Sequence, residues 1–202
     1  MKSNKGKFIV IEGLDGCGKS TQIKLLGNKL INSGKEVLLT EEQTKGAVGR
    51  LIVQVLNGKI FLPLDSLQLL FVADRSDHLY QTIEPALKEG KVVICDRYFW
   101  STVAYGSLEL DKNWLLKIHR YCRRPDMTIF IDISPEECLK RINKRGDQKD
   151  IFEKKEKLIQ IRESYFWLMN KFPDTIVIDG EQSILAMADE IFKQINEKII
   201  RS

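Results

Sequence analysis

The chain lacks any apolar run long enough for a membrane span or a secretion signal. Met1 to Lys7 is short and polar, and the apolar stretch that follows covers only Phe8 to Ile11, against about 20 residues for a spanning helix. A protein that stays where it is made is expected. Its four cysteines, Cys17, Cys95, Cys122 and Cys138, form no CxxC pair and lie within otherwise regular segments. That pattern argues against a zinc cluster or a disulfide framework and fits a reducing cytoplasm. No internal repeat, low-complexity segment or linker interrupts the chain, so its 202 residues are expected to form one domain, 1–202. A block of like charge is missing too. The 32 Lys and Arg against 28 Asp and Glu give a formal charge of +4, and the bases are spread along the chain. This gives no support for a nucleic-acid or membrane partner and fits a pocket that holds phosphates.

What is present is an alternation. Apolar runs rich in β-branched residues occur at Phe8 to Ile11, Val37 to Leu39, Lys91 to Cys95, Thr128 to Ile133 and Thr175 to Ile178. Each is followed by a longer stretch that reads as largely helical. Four of the runs are almost unbroken in hydrophobicity, as strands covered on both faces are, so the fold class is α/β with a parallel sheet flanked by helices. Ile23, Leu26 and Leu30 mark the buried face of the first helix; Ile184, Ala188, Ile191, Ile195 and Ile199 mark that of the last. Lys144 to Asp150, polar and glycine-containing between two helical patterns, reads as a mobile surface loop.

The first strand runs into Gly13-Leu14-Asp15-Gly16-Cys17-Gly18-Lys19-Ser20, which matches G-x-x-x-x-G-K-[ST] at every fixed position and opens into an apolar-periodic helix. The glycines let the backbone wrap an anion and aim N–H groups at phosphate oxygens, aided by the helix N-terminus. The nucleotide-binding set is therefore Gly13, Leu14, Asp15, Gly16, Cys17, Gly18, Lys19, Ser20 and Thr21. Lys19 would neutralise the β and γ phosphates of ATP, and Ser20 would hold Mg²⁺. A chance glycine-rich turn is the competing reading; the strand before and the helix after weigh against it. Cys17 reads as a small side chain that fits the loop rather than as a redox switch.

Two other P-loop classes fail on missing motifs. A regulatory GTPase needs Asn-Lys-x-Asp, and Asn143-Lys144-Arg145-Gly146 lacks the acid; the Ser-Gly-Gly of transporter ATPases is absent. A nucleotide kinase remains. Phe71 and Arg75, four apart in a helical segment, share a face, and an aromatic plane beside a fixed donor fork suits a nucleobase. The bland alternative puts Phe71 in the core and pairs Arg75 with Asp74 or Asp77. Asp96 ends the run Val92 to Cys95, at the sheet edge where open α/β folds bind ligands, and reads as a partner of Mg²⁺ or of Lys19.

Phe8 to Gln22, FIVIEGLDGCGKSTQ, resembles the opening of thymidylate kinases. Leu69 to Arg75, Asp96-Arg97-Tyr98, Pro125-Asp126 and Asp150 to Glu153 follow in that family's order. The resemblance implies a five-stranded parallel sheet, a homodimer, and transfer of the γ-phosphoryl group of Mg-ATP to dTMP, giving dTDP and ADP. It implies that Phe71 and Arg75 hold the thymine, that Arg97 orients the acceptor phosphate, and that Asp15 accepts the 3′-hydroxyl of the sugar. Ser101 and Tyr105 would complete the base and sugar contacts. Phe152 would lie near C2′ and leave a ribose hydroxyl unsatisfied. A short lid, about 141–153, would supply Arg145 as the clamp on transferred charge and Arg141 for packing on adenine. Its basic residues would compensate for Gly16, which stands where other members carry a P-loop arginine.

The chain departs from the bacterial pattern after the second strand, where Glu41 and Gln43 replace an arginine and a proline; Lys45 or Arg50 are candidate substitutes. Gly106 stands where a glutamine commonly contacts the base, and Ile151 where a lid arginine is frequent. The alternatives left open are another acceptor such as dUMP, UMP or a deoxynucleoside, or a nucleotide-binding regulator on the same fold.

Overall fold

A computed structural model describes residues 6–145 and 155–200 of the chain. Its five strands, β1 (Lys7–Gly13), β2 (Val37–Glu41), β3 (Val92–Asp96), β4 (Met127–Asp132) and β5 (Ile176–Asp179), form one parallel sheet in the order β2-β3-β1-β4-β5. Phe8 to Ile11 are at most 1% exposed. Because alternate side chains of a strand point to opposite faces, full burial of four consecutive residues means that both faces are covered. On one face α1 (Lys19–Asn32) packs against α9 (Ile184–Ile195); elsewhere α5 (Phe99–Gly106) packs against β1 and against α8 (Lys155–Lys171). The remaining helices are α2 (Ala47–Leu56), α3 (Leu64–His78), α4 (Glu84–Lys88), α6 (Lys112–Ile118) and α7 (Pro135–Arg145), with π-helical turns at Leu79–Ile83, joining α3 to α4, and at Asn196–Ile200, after α9.

The sequence places β1 at Phe8 to Ile11, and the strand extends to Gly13. Glu12 and Gly13 stay in the ladder because they pair with Phe130 and Ile131 of β4. This extension brings the phosphate loop to the carboxyl edge of the sheet beside Asp96, which pairs with Ile11 on one side and Glu41 on the other. The strand order reverses around β1, and such switch points open a crevice at the carboxyl ends of the strands.

The buried face of α1 holds Ile23, Leu26 and Leu30, as its periodicity indicates. In α9 the stripe is shifted. Ile184 is 57% exposed in the first turn, which Ser183 caps, and Met187 joins Ala188, Ile191 and Ile195 in the core. The side chain of Ile199 lies outside the described residues. No described helix is long and apolar enough to cross a membrane, and the four cysteines are free.

Candidate active site

The phosphate loop closes on itself. Gly16 and Gly18 have φ of 82° and 99°, the left-handed region in which a side chain is strained, and a Cβ on Gly16 would come within 2.7 Å of the Cys138 carbonyl oxygen of α7. Lys19, at the start of α1, folds back so that Nζ donates to the carbonyls of Gly13 (3.0 Å) and Leu14 (2.9 Å). Leu14 and Cys17 are buried in the core beneath the loop, so Cys17 is a packed side chain.

One residue on, Ser20 donates to Asp96 Oδ2 at 3.0 Å. Asp96 Oδ1 is buried and has no hydrogen-bond partner. A hydroxyl beside a carboxylate with a spare buried oxygen suits a hard, oxygen-seeking cation, so these residues fit Mg²⁺.

Arg97 follows directly, in the left-handed conformation at φ 66°. Its Nη1 donates to the Gly13 carbonyl (3.2 Å) and to Ser101 Oγ (2.8 Å), and its Nη2 forms an ion pair with Asp15. Tyr105, one turn along α5 from Ser101, donates to the other Asp15 oxygen at 2.9 Å. Burial raises the pKa of Asp15, but the charges of Arg97 and Lys19 outweigh it and hold the carboxyl below its ordinary range. Beneath this network Glu12 is fully buried and accepts from the Tyr98 and Ser101 amides (2.9 and 3.2 Å) and from the Ser101 hydroxyl (2.5 Å). Burial drives its pKa up despite those bonds.

The opposite wall comes from α3. Phe71 lines the cleft half-buried, and Arg75 is 2% exposed. Arg75 pairs with neither Asp74 nor Asp77. Its Nε donates to Glu42 Oε2 (2.8 Å), its Nη2 to Thr102 Oγ1 (3.0 Å), and its Nη1 to His119 Nδ1 (2.9 Å), while the guanidinium lies 4.9 Å over the Tyr98 ring. Burial works against the charge of Arg75, and the Glu42 carboxylate more than offsets that, raising its pKa. Glu42, His78 and Cys95 converge within 4.8 Å. Their ligand atoms already have partners: Glu42 accepts from Arg75, the two His78 nitrogens meet Glu42 and Thr40, and Cys95 Sγ donates to the Arg97 carbonyl.

His119 completes the support. Burial, with the charges of Arg75 and Arg124, pushes its pKa down to about 2, so the ring is neutral, accepts at Nδ1 and carries its proton on Nε2. A depressed folded value means that below the ordinary His pKa of about 6.5 only the unfolded chain takes up the proton, so stability falls with pH by about 2 kcal/mol from pH 7 to 5. His119→Asn keeps an acceptor and removes the titration. Its unfolding free energy by urea titration is expected to decline less over that interval than that of the parent; equal slopes would contradict the assignment.

These elements line one cleft of about 680 Å³, to which the phosphate loop with Lys19 and Ser20, the α3 residues Phe71 and Arg75, and Asp96, Arg97, Ser101 and Tyr105 all contribute. Thymidylate kinase is the family whose model matches this chain, over residues 11–191. The chain belongs to the thymidylate kinase family. It is 38% identical over 204 residues to the probable thymidylate kinase of Pyrococcus horikoshii, covering 97% of this chain and 98% of that one. It is 43% identical over 201 residues to the probable thymidylate kinase of Methanococcus aeolicus (96% and 98% covered) and 37% identical over 199 residues to the thymidylate kinase of Desulfotalea psychrophila (98% of each). Membership of the thymidylate kinase family makes the chain an ATP-dependent nucleoside monophosphate kinase and does not favour the other acceptors or the regulator.

Not every expected residue of the thymidylate kinase site reaches the cleft. Arg141 lies on α7 in a pair with Glu137 (3.2 Å), and Ile142 is the α7 residue that lines the cleft. Arg145 ends the same helix, but its side chain, like Phe152 and Ile151, falls outside the described residues, as does most of the expected lid. Lys45 pairs with Glu41, and Arg50 donates to the Lys45 carbonyl; neither lines the main cleft, whereas Glu41 and Gln43 do. Sequence reasoning passed over Glu12, Glu42, Thr102 and His119. A buried acid inside an apolar strand was the available signal for Glu12. Glu42 and His119 carry no local signal.

Proposed function

We propose that the cleft transfers the γ-phosphoryl group of ATP to the phosphate of dTMP, giving dTDP and ADP, with catalysis by positioning and electrostatics. The observation that carries this reading is one cleft lined both by the phosphate loop and by Phe71 and Arg75. In this reading the loop amides and Lys19 hold the phosphates of ATP. Ser20 and Asp96 would hold Mg²⁺, which when bound would supply charge neutralisation for the phosphoryl oxygens. Arg97 exchanges part of its contact with Asp15 for the acceptor phosphate, and Asp15, its ionised form favoured by Arg97 and Lys19, accepts the sugar 3′-hydroxyl. Phe71 stacks on thymine and Arg75 donates to a ring carbonyl; Ser101 and Tyr105 flank the sugar, with Phe152 beside C2′. Arg145 and Arg141 are assigned to the donor side, Arg141 leaving its pair with Glu137 to take that part.

The test is a coupled ADP-release assay with dTMP, dUMP, UMP, dCMP and thymidine. Release dependent on dTMP above the others is expected. Preference for another base, or no acceptor dependence, would overturn the assignment.

A homodimer through the outer faces of α2 and α3 is part of the same proposal. Large apolar side chains are exposed there, Leu69 at 52% and Phe61, between the two helices, at 91%, and surfaces of this kind mark protein contacts. Sedimentation at twice the chain mass supports it; a monomer at micromolar concentration contradicts it. The free cysteines support a cytoplasmic location.

A further inference from the structure

We propose that Gln68 reads the imide edge of the acceptor base, accepting from the ring N3–H while Arg75 donates to the adjacent carbonyl oxygen. The inference rests on the dTMP reading above and adds a specificity residue to it. Gln68, Phe71 and Arg75 follow at i, i+3 and i+7 along α3, one stripe of a helix, and all three line the cleft. Gln68 is 5% exposed, yet its Oε1 is buried without a hydrogen-bond partner. A buried, unpaired carboxamide oxygen is unfavourable unless a ligand satisfies it, and a half-turn of the planar amide exchanges its oxygen and nitrogen.

Against Gln68, α5 presents Gly106. A Cβ there would lie 3.0 Å from Gln68 Cδ and 3.1 Å from each of Oε1 and Nε2. The bare glycine therefore seats the carboxamide between α3 and α5, and any larger residue would displace it. A glutamine carried on α3 thus occupies the space that a side chain from α5 would otherwise fill.

The chemistry of the edge assigns the role. Thymine and uracil present N3–H between two carbonyls, so recognition needs an acceptor flanked by donors. Arg75 has donors only. Glu42 is committed to Arg75 and His78, and Thr102 Oγ1 accepts from Arg75. Gln68 supplies the acceptor. Cytosine presents an unprotonated N3 and an amino group, which sets donor against donor at Arg75.

The test uses two variants and a modified acceptor. Gln68→Met keeps the length of the side chain and removes the amide; Gln68→Ala also leaves room for a methyl group on N3. With dTMP, both are expected to raise KM by about tenfold, the scale of one hydrogen bond, with a smaller change in kcat and none in KM for ATP. With N3-methyl-dTMP the parent enzyme is expected to lose a similar factor and Gln68→Ala to lose little more than it already has. Parental KM in both variants, or the same loss on N3-methylation in parent and Gln68→Ala, overturns the proposal. Should neither variant fold, the N3 imino proton of dTMP bound to the parent decides. Slowed exchange with an nuclear Overhauser contact to the Gln68 amide supports the role, and exchange as fast as in free dTMP overturns it. No turnover of dTMP by the parent contradicts the dTMP reading itself and removes this inference with it.

Discussion

Replacing Lys19 with alanine is expected to lower kcat by at least about 100-fold, the effect of removing one preorganised charge from a phosphoryl-transfer site. The reason lies in where its charge sits. Nζ is held by the carbonyls of Gly13 and Leu14, within the loop proposed to wrap the phosphates, and 7% of the residue is exposed, so little solvent screens it. The same two bonds give Lys19 a small structural part in closing the loop. Thermal denaturation is therefore expected to show a modest shift, because the buried Gly13 carbonyl keeps its bond from Arg97 and only that of Leu14 loses its side-chain donor. Steady-state turnover with saturating ATP and dTMP measures the main effect; near-parental kcat would contradict the role given to Lys19.

Arg75→Ala is expected to act on stability and on the acceptor together. It leaves Glu42, with its side chain 4% exposed, as a buried charge facing only His78, a loss of about 3–5 kcal/mol for breaking such a pair. For a chain of this size that corresponds to a fall in Tm of roughly 10 °C. Binding of dTMP is expected to weaken while KM for ATP holds, since Arg75 is held by Glu42, Thr102 and His119, none of which belongs to the phosphate loop. The double variant Arg75→Met/Glu42→Leu separates the two effects. Removing both charges is expected to restore much of the stability without restoring affinity for dTMP. If affinity returns with stability, Arg75 is a structural cation and does not read the base.

The parts of this site that were legible in the sequence are those whose chemistry is local. The phosphate loop requires glycines, Lys19 and Ser20 at fixed spacing, so eight consecutive residues carry it. The parallel sheet was legible because its central strands β3, β1 and β4 are largely buried on both faces and read as unbroken apolar runs, while the edge strands β2 and β5 leave Leu39 and Val177 exposed. Pairings across the fold were not legible. Arg75 meets Glu42, 33 positions away, through a turn whose composition pointed to departures from the bacterial pattern and not to an anchor. His119 sits in a basic, irregular segment after α6 with nothing nearby to mark it as the acceptor for Arg75 Nη1. Asp15 stood out as an acid among phosphate ligands, but its ion pair with Arg97 spans 82 positions and needed the register of β1 on β3 to appear. The buried stripe of α9 erred at Ile184 because periodicity gives the face of a helix but not where the core beside it ends.

The central claim is that the phosphate loop and the Phe71–Arg75 wall serve one transfer reaction. The most direct measurement is the fate of label from [γ-³²P]ATP incubated with Mg²⁺, dTMP and the enzyme, resolved by chromatography. The label is expected in dTDP, formed in step with ADP. Label appearing only as inorganic phosphate, or in a nucleotide other than dTDP when several monophosphates compete, would contradict it.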